Sequence, residues 1–250
     1  MKKIIGIVSL LFMATATAQE AQPKKLVLWG IKGVLLHPDM SKVSGGNIGG
    51  LLGFTPEKVE QELFKALRPL RLSLSTYTGT YPMLIEGWLT GAINNWQAKG
   101  MATSYIKKTC SFVKKMRLKT AAQLAFTPND AAIILSRNQS VTSLAQACKS
   151  RGHTIAICSS WNAQSFQALQ KHHSSLFAAF NAHYISGACG ILACQEQFYD
   201  QMIRNYAPEN IYLVDCLPEN LQAARKRGIT TITASSVNNV QHELKKHGLI

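Results

Sequence analysis

Short runs of apolar residues that end at glycine, serine or aspartate recur along the chain and predict buried β-strands. The first run, Leu26 to Leu35, reads LVLWGIKGVL. Its four apolar residues before Gly30 are continuous rather than alternating, which favours a parallel strand that is covered on both faces. Ligands of parallel sheets bind beyond the carboxyl ends of the strands. The pattern therefore places Gly30 and Lys32 where a functional site is expected.

Further along, short apolar runs alternate with helical patterns. Strands are predicted at Thr154 to Cys158, Ala182 to Ile185, Asn210 to Val214 and Thr230 to Thr233. Apolar residues three and four positions apart predict helices at Ser140 to Arg151, Ala163 to His172, Glu196 to Tyr206, Glu219 to Arg227 and beyond Ser236. Alternating strands and helices imply right-handed crossovers and a parallel sheet. The fold class is therefore predicted to be α/β.

A long helical stretch separates the first strand from this alternating part. Ser44 to Gly53 holds five glycines in ten residues, which predicts a hinge or linker. Thr55 and Pro56 then suit the cap and first position of a helix that should run to about Leu67. A second helix is predicted over Pro82 to Ala98, and a basic helix follows. We therefore expect a core of residues 19–53 and 126–250 that is interrupted by a helical insertion of residues 54–125.

The amino terminus has the pattern of a secretory signal peptide. Lys2 and Lys3 precede the largely apolar residues 4–14, and an A-x-A site ends at Ala18. The apolar run is shorter than the roughly 20 residues that span a bilayer. The sequence thus predicts a signal peptide of residues 1–18 and an exported protein, periplasmic or secreted.

The chain is strongly basic, with a formal charge of +14. Its densest basic cluster lies between Tyr105 and Lys119 and contains no acid. The cluster consists of Lys107, Lys108, Lys114, Lys115, Arg117 and Lys119. Such a cluster suits an anionic membrane, lipopolysaccharide or nucleic acid, although a solvated helix face has the same pattern. Export disfavours nucleic acid as the partner.

The predicted strands are followed by Gly30 to Val34, by Ser159, by Ala193 and by the pair Asp215 and Cys216. In order and spacing these positions resemble the motifs of the haloacid dehalogenase-like (HAD) superfamily, whose members are mostly phosphohydrolases. The D-x-D-G-V/T motif of that family falls on Gly30 to Val34, and the serine or threonine of its second motif falls on Ser159. The family lysine falls on Ala193, and the acidic pair of the fourth motif falls on Asp215 and Cys216. The resemblance implies a three-layer HAD-like Rossmannoid core with an inserted α-helical cap, as in phosphoglycolate phosphatase-like members.

The same motifs depart from the family at the positions that carry its chemistry. The first family aspartate attacks phosphorus, the second is the general acid/base, and carboxylates of the first and fourth motifs hold Mg²⁺. Here Gly30 has no side chain, and Lys32 is a cation. Loss of a nucleophile alone costs about six orders of magnitude in one hydrolase. We therefore expect no catalytic residue among Gly30, Lys32, Ala193 and Cys216, no bound metal and no cofactor, with Mg²⁺ only if the protein is an enzyme after all.

Three residues remain as candidate ligand-binding residues: Lys32, Ser159 and Asp215. Lys32 is expected beside Asp215, where its ammonium would replace the lost metal; removing it would then cost about 3 to 5 kcal/mol. Ser159 would join Lys32 in holding an anion. The alternatives are that Lys32 extends into solvent and that Ser159 bonds only to local backbone.

The six cysteines would meet an oxidising compartment if the protein is exported, and they allow fifteen full pairings. A bridge among Cys189, Cys194 and Cys216 is one possible pairing. Cys216 as a replacement nucleophile has no histidine base assigned to it, and a buried or bridged thiol fits it better.

The sequence favours an exported pseudo-phosphatase that binds an anionic small molecule or a protein partner. Two alternatives stay open. One is a HAD-like hydrolase with weak or atypical phosphatase activity. The other is a basic cap that binds an anionic membrane or lipopolysaccharide.

Overall fold

The computed structural model describes residues 24–42, 55–74 and 77–250. The predicted signal peptide of residues 1–18 and the predicted hinge of residues 44–53 lie outside this part of the chain.

Seven strands occur in the described residues. In chain order they are β1 Leu26–Trp29, β2 Leu36–Pro38, β3 Leu135–Arg137, β4 Thr154–Ser159, β5 Ala182–Ile185, β6 Ile211–Asp215 and β7 Thr230–Thr233. Five of them form a parallel sheet in the order β5-β4-β1-β6-β7. The predicted strands are confirmed to within one residue.

Strand β1 is the centre of the sheet and pairs with β4 on one side and β6 on the other. All four of its residues are buried, as a continuous apolar run predicts. The chain passes from β1 to β4 and β5 on one side and later to β6 and β7 on the other. The strand order therefore reverses at β1, which places a crevice at its carboxyl end.

Helices cover both faces of this sheet. After β3 they are α6 Gln139–Ser150, α7 Ala163–His172, α8 Ser174–Phe177, α9 Ser186–Cys189, α10 Asp200–Ile203, α11 Pro218–Lys226 and α12 Val237–Lys246. Alternate strand residues face opposite sides, so Val27 and Ile155 pack with α6, α7 and α12, while Leu28 and Ala156 pack with α10 and α11. The predicted helix Glu196 to Tyr206 is instead a 3-10 turn, Glu196–Tyr199, followed by the short α10.

The insertion between β2 and β3 is helical. Its helices are α1 Pro56–Leu67, α2 Met83–Leu89, α3 Asn95–Thr109, α4 Phe112–Phe126 and α5 Pro128–Ile133. The helix predicted after Thr55 is confirmed, and the Thr55 side chain accepts a hydrogen bond from the Lys58 N–H. No helix in the described part of the chain is both long enough and apolar enough to cross a membrane.

The single helix predicted over Pro82 to Ala98 is wrong, because the structure has two helices there. Gly91, with a φ of 82°, follows the end of α2. Asn94 then starts α3 with a reciprocal capping box to Gln97. The apolar pattern hid this break because Ile93, in the turn, is buried like its helical neighbours.

Strands β2 and β3 carry the chain out of the core and back into it. They pair antiparallel, with Leu36 opposite Arg137 and Pro38 opposite Leu135. Neither strand was predicted, because three residues are too few to show a period of two.

Candidate functional site

Gly30, Ser159 and Asp215 lie at the carboxyl ends of the adjacent strands β1, β4 and β6. The Gly30 N–H donates to the Val214 carbonyl at 2.9 Å, which continues the ladder between β1 and β6. The fold therefore gathers three of the motif positions at the crevice where the strand order reverses.

Gly30 is closed in by the residue opposite it on β6. A Cβ atom on Gly30 would lie 3.2 Å from Cγ and Oδ2 of Asp215 and 3.2 Å from Cγ2 of Val34. Carbon contacts are most favourable at about 3.5 to 4.0 Å, so any side chain at this position requires a neighbour to move. Position 30 therefore lacks a nucleophile, and a side chain there would have to push Asp215 or Val34 aside by a few tenths of an ångström.

Asp215 is a buried carboxylate that is satisfied by its own strand-to-helix turn. Its Oδ1 accepts from the Leu217 N–H at 2.9 Å, and its Oδ2 accepts from Asn220 Nδ2 at 3.0 Å. Burial raises the pKa of Asp215 to about 6, and the nearby charge of Glu219 acts in the same direction. These hydrogen bonds lower the pKa but do not offset the burial.

Lys32 does not form the expected ion pair with Asp215. Its ammonium instead forms a salt bridge with Glu60, on helix α1 of the insertion. The two side chains are 37% and 41% exposed, so the pair keeps much of its hydration, whereas pairing with the buried Asp215 would remove it. Asp215 already has two donors. The lysine thus links the insertion to the core rather than replacing a metal.

The lysine of the family motif is replaced by Ala193, so neither Ala193 nor Ser159 supplies a positive charge at the carboxyl ends of the strands. Ser159 is buried at the end of β4. The hydroxyl of the next residue, Ser160, accepts from the Ala193 N–H at 2.9 Å, and the Ala193 carbonyl accepts from the Tyr199 hydroxyl at 2.8 Å. The position of the family lysine is therefore held by its backbone and carries a buried methyl group.

Cys216 faces the turn that follows β1. Its thiol donates to the Lys32 carbonyl at 3.4 Å, and a Cβ on Gly33 would lie 2.6 Å from its sulfur. Burial, and then the charge of Asp215, raises the pKa of Cys216 to about 11. The thiol therefore stays protonated at neutral pH and is a poor nucleophile.

All six cysteines are free thiols, so the bridge considered among Cys189, Cys194 and Cys216 is not formed. Each thiol has a different neighbour. Cys194 donates to Thr80 Oγ1 at 3.8 Å, and Cys189 donates to the Ser186 carbonyl at 3.7 Å.

The oxygen atoms at this edge do not suit Mg²⁺, the metal that the family resemblance implies. Gly30 offers no side-chain oxygen, each Asp215 oxygen already accepts one hydrogen bond, and the Lys32 carbonyl accepts the Cys216 thiol. Mg²⁺ requires a near-octahedral shell of oxygen atoms. Among the residues that the structure describes, no group of three or more His, Cys, Asp or Glu side chains is placed to hold a metal ion.

A buried polar network joins the insertion to the core beside β4. Asn95, at the start of α3, accepts at Oδ1 from Trp88 Nε1 at 2.7 Å and from Ser165 Oγ at 3.1 Å. Its Nδ2 donates to Gln164 Oε1 at 2.7 Å and to Asn162 Oδ1 at 3.2 Å. All four hydrogen-bonding positions of this amide are therefore occupied.

Two further hydrogen bonds hold the end of α2 to the same part of the core. Asn162 Nδ2 donates to the Trp88 carbonyl at 2.8 Å, and Ser186 Oγ donates to the Leu89 carbonyl at 3.0 Å. Sequence reasoning missed this network, since Asn162 has the ordinary pattern of a helix cap. Its other role depends on where the insertion lies.

On the β6 side, Tyr81 of the insertion donates to Glu219 Oε1 at 3.1 Å. Burial, and then the charge of Glu219, raises the pKa of the Tyr81 hydroxyl. A cavity of about 410 Å³ opens there, lined by Thr80, Cys194 and Glu219 among others. None of Gly30, Lys32, Ser159 and Asp215 lines it, so this cavity does not lie at those motif positions.

No protein-family model and no curated protein matches this chain. Solved structures of HAD enzymes do match it in fold. A crystal structure of a dehalogenase has a TM-score of 0.56 at 14% identity and covers 86% of both chains. A HAD family enzyme from Bacteroides thetaiotaomicron has a TM-score of 0.54 at 14% identity, over 84% of this chain and 93% of that one.

The L-2-haloacid dehalogenase from Xanthobacter autotrophicus, with chloropropionic acid covalently bound, has a TM-score of 0.54 at 14% identity, over 91% of this chain and 84% of that one. Identities this low show the fold alone. The fold is HAD-like, a three-layer α/β core with an inserted helical cap, as the sequence motifs predicted.

Proposed function

We propose that this HAD-like protein is a pseudo-phosphatase, which acts by binding rather than by turnover. The observation that carries the proposal is the missing side chain at position 30, beside a tightly packed Asp215. Gly30 has no side chain to attack phosphorus, and a Cβ there would meet the Asp215 carboxyl at 3.2 Å. A covalent intermediate at this position has no attacking atom.

The other motif positions support the same proposal. Lys32 is paired with Glu60, so its charge is compensated by the insertion. Ala193 has no charge to offer, and the Cys216 thiol is protonated at neutral pH because its pKa is raised to about 11. Each substitution removes a different part of the phosphoryl-transfer machinery that the family resemblance implies.

The charge balance at this edge favours a protein partner over a small anion. Lys32 is matched by Glu60. Asp215 and Glu219 have no ion-pair partner in the described part of the chain, although both accept hydrogen bonds. An anion would therefore meet more negative than positive charge. If the signal peptide is cleaved after Ala18, this binding role belongs to the periplasm or the exterior.

A weak or atypical hydrolase is the second candidate, and one observation favours it. Asp215 is buried, and its pKa is raised to about 6, which is a common property of catalytic acids and bases. We place this candidate second because neither Gly30 nor Lys32 supplies a carboxylate that could act together with Asp215.

Turnover by the purified protein distinguishes the two candidates. It would be assayed with p-nitrophenyl phosphate, acetyl phosphate and 2-chloropropionate, with and without Mg²⁺. We expect rates no higher than those of the Asp215→Asn variant, whose fold would be checked by circular dichroism. Magnesium-dependent turnover that is lost in Asp215→Asn would overturn the proposal in favour of the hydrolase.

Inorganic phosphate tests the charge argument separately. We expect no rise in the thermal midpoint on adding phosphate to the wild-type protein. A rise that disappears in Lys32→Met would instead establish an anion site at this edge.

A further inference from the structure

The tip of the α3–α4 hairpin carries an apolar cluster that nothing in the described residues covers. Phe112, Val113 and Met116 are 74%, 71% and 61% exposed. Phe112 and Met116 are one helical turn apart on α4, so they lie on the same face. Apolar side chains this exposed are ordinary when scattered singly, but three together within two turns form a local patch.

Lysines lie on both sides of this patch along the chain. Lys107 and Lys108 end α3, and Lys114, Lys115 and Lys119 lie on α4. None of the five forms an ion pair with a described residue. The sequence has no Asp or Glu from Gly87 to Asn129. The patch and these five lysines are called the hairpin tip below.

The local arrangement is unfavourable for the isolated fold. The first turn of α4 has no acidic residue, and the Ser111 side chain makes no capping hydrogen bond. Lysines near a helix N-terminus oppose the helix dipole, and Lys115 and Lys119 are like charges four residues apart. An anionic surface placed against the tip would relieve both repulsions, and burial would remove the three apolar side chains from water.

These features together identify the chemistry of the occupant. Lysines interleaved with exposed apolar side chains match the boundary between the headgroups and acyl chains of a bilayer. Lysine attracts anionic lipid through charge without needing the planar geometry that arginine gives to specific phosphate contacts. We propose that the hairpin tip docks on the surface of an anionic phospholipid bilayer, with Phe112, Val113 and Met116 below the level of the phosphates.

Co-sedimentation with vesicles tests this proposal on the whole protein. Vesicles would contain phosphatidylcholine alone or phosphatidylcholine with phosphatidylglycerol, at low and high salt. We expect binding only to the anionic vesicles, and binding should fall as salt screens the lysines. Neutralising one lysine should weaken partitioning about fivefold, so Lys115→Gln with Lys119→Gln should weaken it by roughly 25-fold.

Two pairs of variants distinguish binding by the hairpin tip from binding caused by overall positive charge or by any exposed apolar side chain. Phe112→Ser with Met116→Ser should weaken binding, whereas Trp96→Ser should not. Trp96 is 82% exposed but lies about 18 Å along α3 from Lys108. Lys171→Gln with Lys245→Gln removes the same charge from exposed sites outside the tip and should retain most of the binding. All these positions are on the surface, and thermal midpoints would verify that each variant is folded.

The proposal would be overturned by equal binding to neutral vesicles, by tip variants that bind as wild type does, or by no binding to phosphatidylglycerol at any salt concentration. Binding to lipopolysaccharide without binding to anionic phospholipid would overturn it as well.

Discussion

Gly30 and Asp215 face each other across β1 and β6 so closely that a methyl group on Gly30 would lie 3.2 Å from the carboxyl carbon of Asp215. In HAD enzymes both positions carry carboxylates that share a metal, according to the motif resemblance. Here the two positions share only a tight contact. Restoring an aspartate at position 30 would therefore crowd the site and add a second negative charge to it.

Substitution of Gly30 should accordingly destabilise the protein. We expect Gly30→Ala to cost about 1 to 3 kcal/mol through overpacking, and Gly30→Asp to cost more because it also places two carboxylates together. Urea denaturation would measure both. Gly100→Ala is the matched control, since nothing lies within 4 Å of the added Cβ, and the helix should gain about 0.5 to 1 kcal/mol. If Mg²⁺ stabilised the Gly30→Asp protein, this would contradict our conclusion that the carboxyl ends of β1 and β6 do not suit a metal ion.

Lys32 should be coupled to Glu60 and not to Asp215. Two double-mutant cycles test this, one combining Lys32→Met with Glu60→Gln and the other combining it with Asp215→Asn. Because both partners are more than a third exposed, we expect at most about 1 kcal/mol of coupling with Glu60 and close to none with Asp215. A coupling of about 3 kcal/mol with Asp215 would mean that the buried charges are paired in solution.

The sequence predicted the wrong partner for Lys32, Asp215 instead of Glu60, and this error shows a limit of sequence reasoning. The run Leu26 to Trp29 and the motif order were sufficient to predict the sheet, its central strand and the adjacent ends of β1, β4 and β6. They predicted where the backbone of each strand lies, but they did not predict which side chains would contact one another. Glu60 is on a helix of the insertion, and no local pattern tells which core residue an inserted helix will meet.

Asn95 tests how firmly the insertion is held to the core. Asn95→Ala would leave the buried indole N–H of Trp88 and the buried hydroxyl of Ser165 without their acceptor, and each such group costs about 1 to 3 kcal/mol. We expect a loss of at least 2 kcal/mol in urea denaturation. Asn205→Ala, at an exposed asparagine, should change stability by less than about 0.5 kcal/mol. An equally small effect at Asn95 would mean that water replaces the network.

The Asn95 network also marks a limit of prediction from sequence. Asn95 is the first residue of α3, a place where asparagine is usually exposed. Its burial follows only from the docking of α2 and α3 against α7. The apolar positions of these helices predicted that they would be covered, but they did not predict which polar residues would be covered with them.

Because of Asp215, the free energy of unfolding should fall as pH rises through the weakly acidic range. The pKa of Asp215 is raised from 3.8 to about 6 by burial, so between these values the folded protein holds a proton that the unfolded chain has released. Stability therefore falls as pH rises through this range, by about 3 kcal/mol at most. Asn220 Oδ1 has no partner among the described residues. If the Asn220 side-chain amide flips by about 180°, its Oδ1 can accept a hydrogen bond from the side-chain NH₂ of an Asp215→Asn variant.

Asp215→Asn should therefore be more stable than wild type at about pH 8 and similar to it at about pH 4, with the difference growing through pH 6. Urea midpoints across this range would measure the difference in stability. Burial lowers the pKa values of His153, His173 and His247, but these histidines titrate in both proteins, so their contribution cancels in the difference.

Asp39→Asn is the control of opposite sign, because hydrogen bonds from Ser41 and Ser136 lower the pKa of Asp39. Its loss of stability relative to wild type should appear near neutral pH and vanish in acid. A difference for Asp215→Asn that is constant with pH would indicate that Asp215 is fully hydrated or fully compensated, and that its burial does not oppose ionisation.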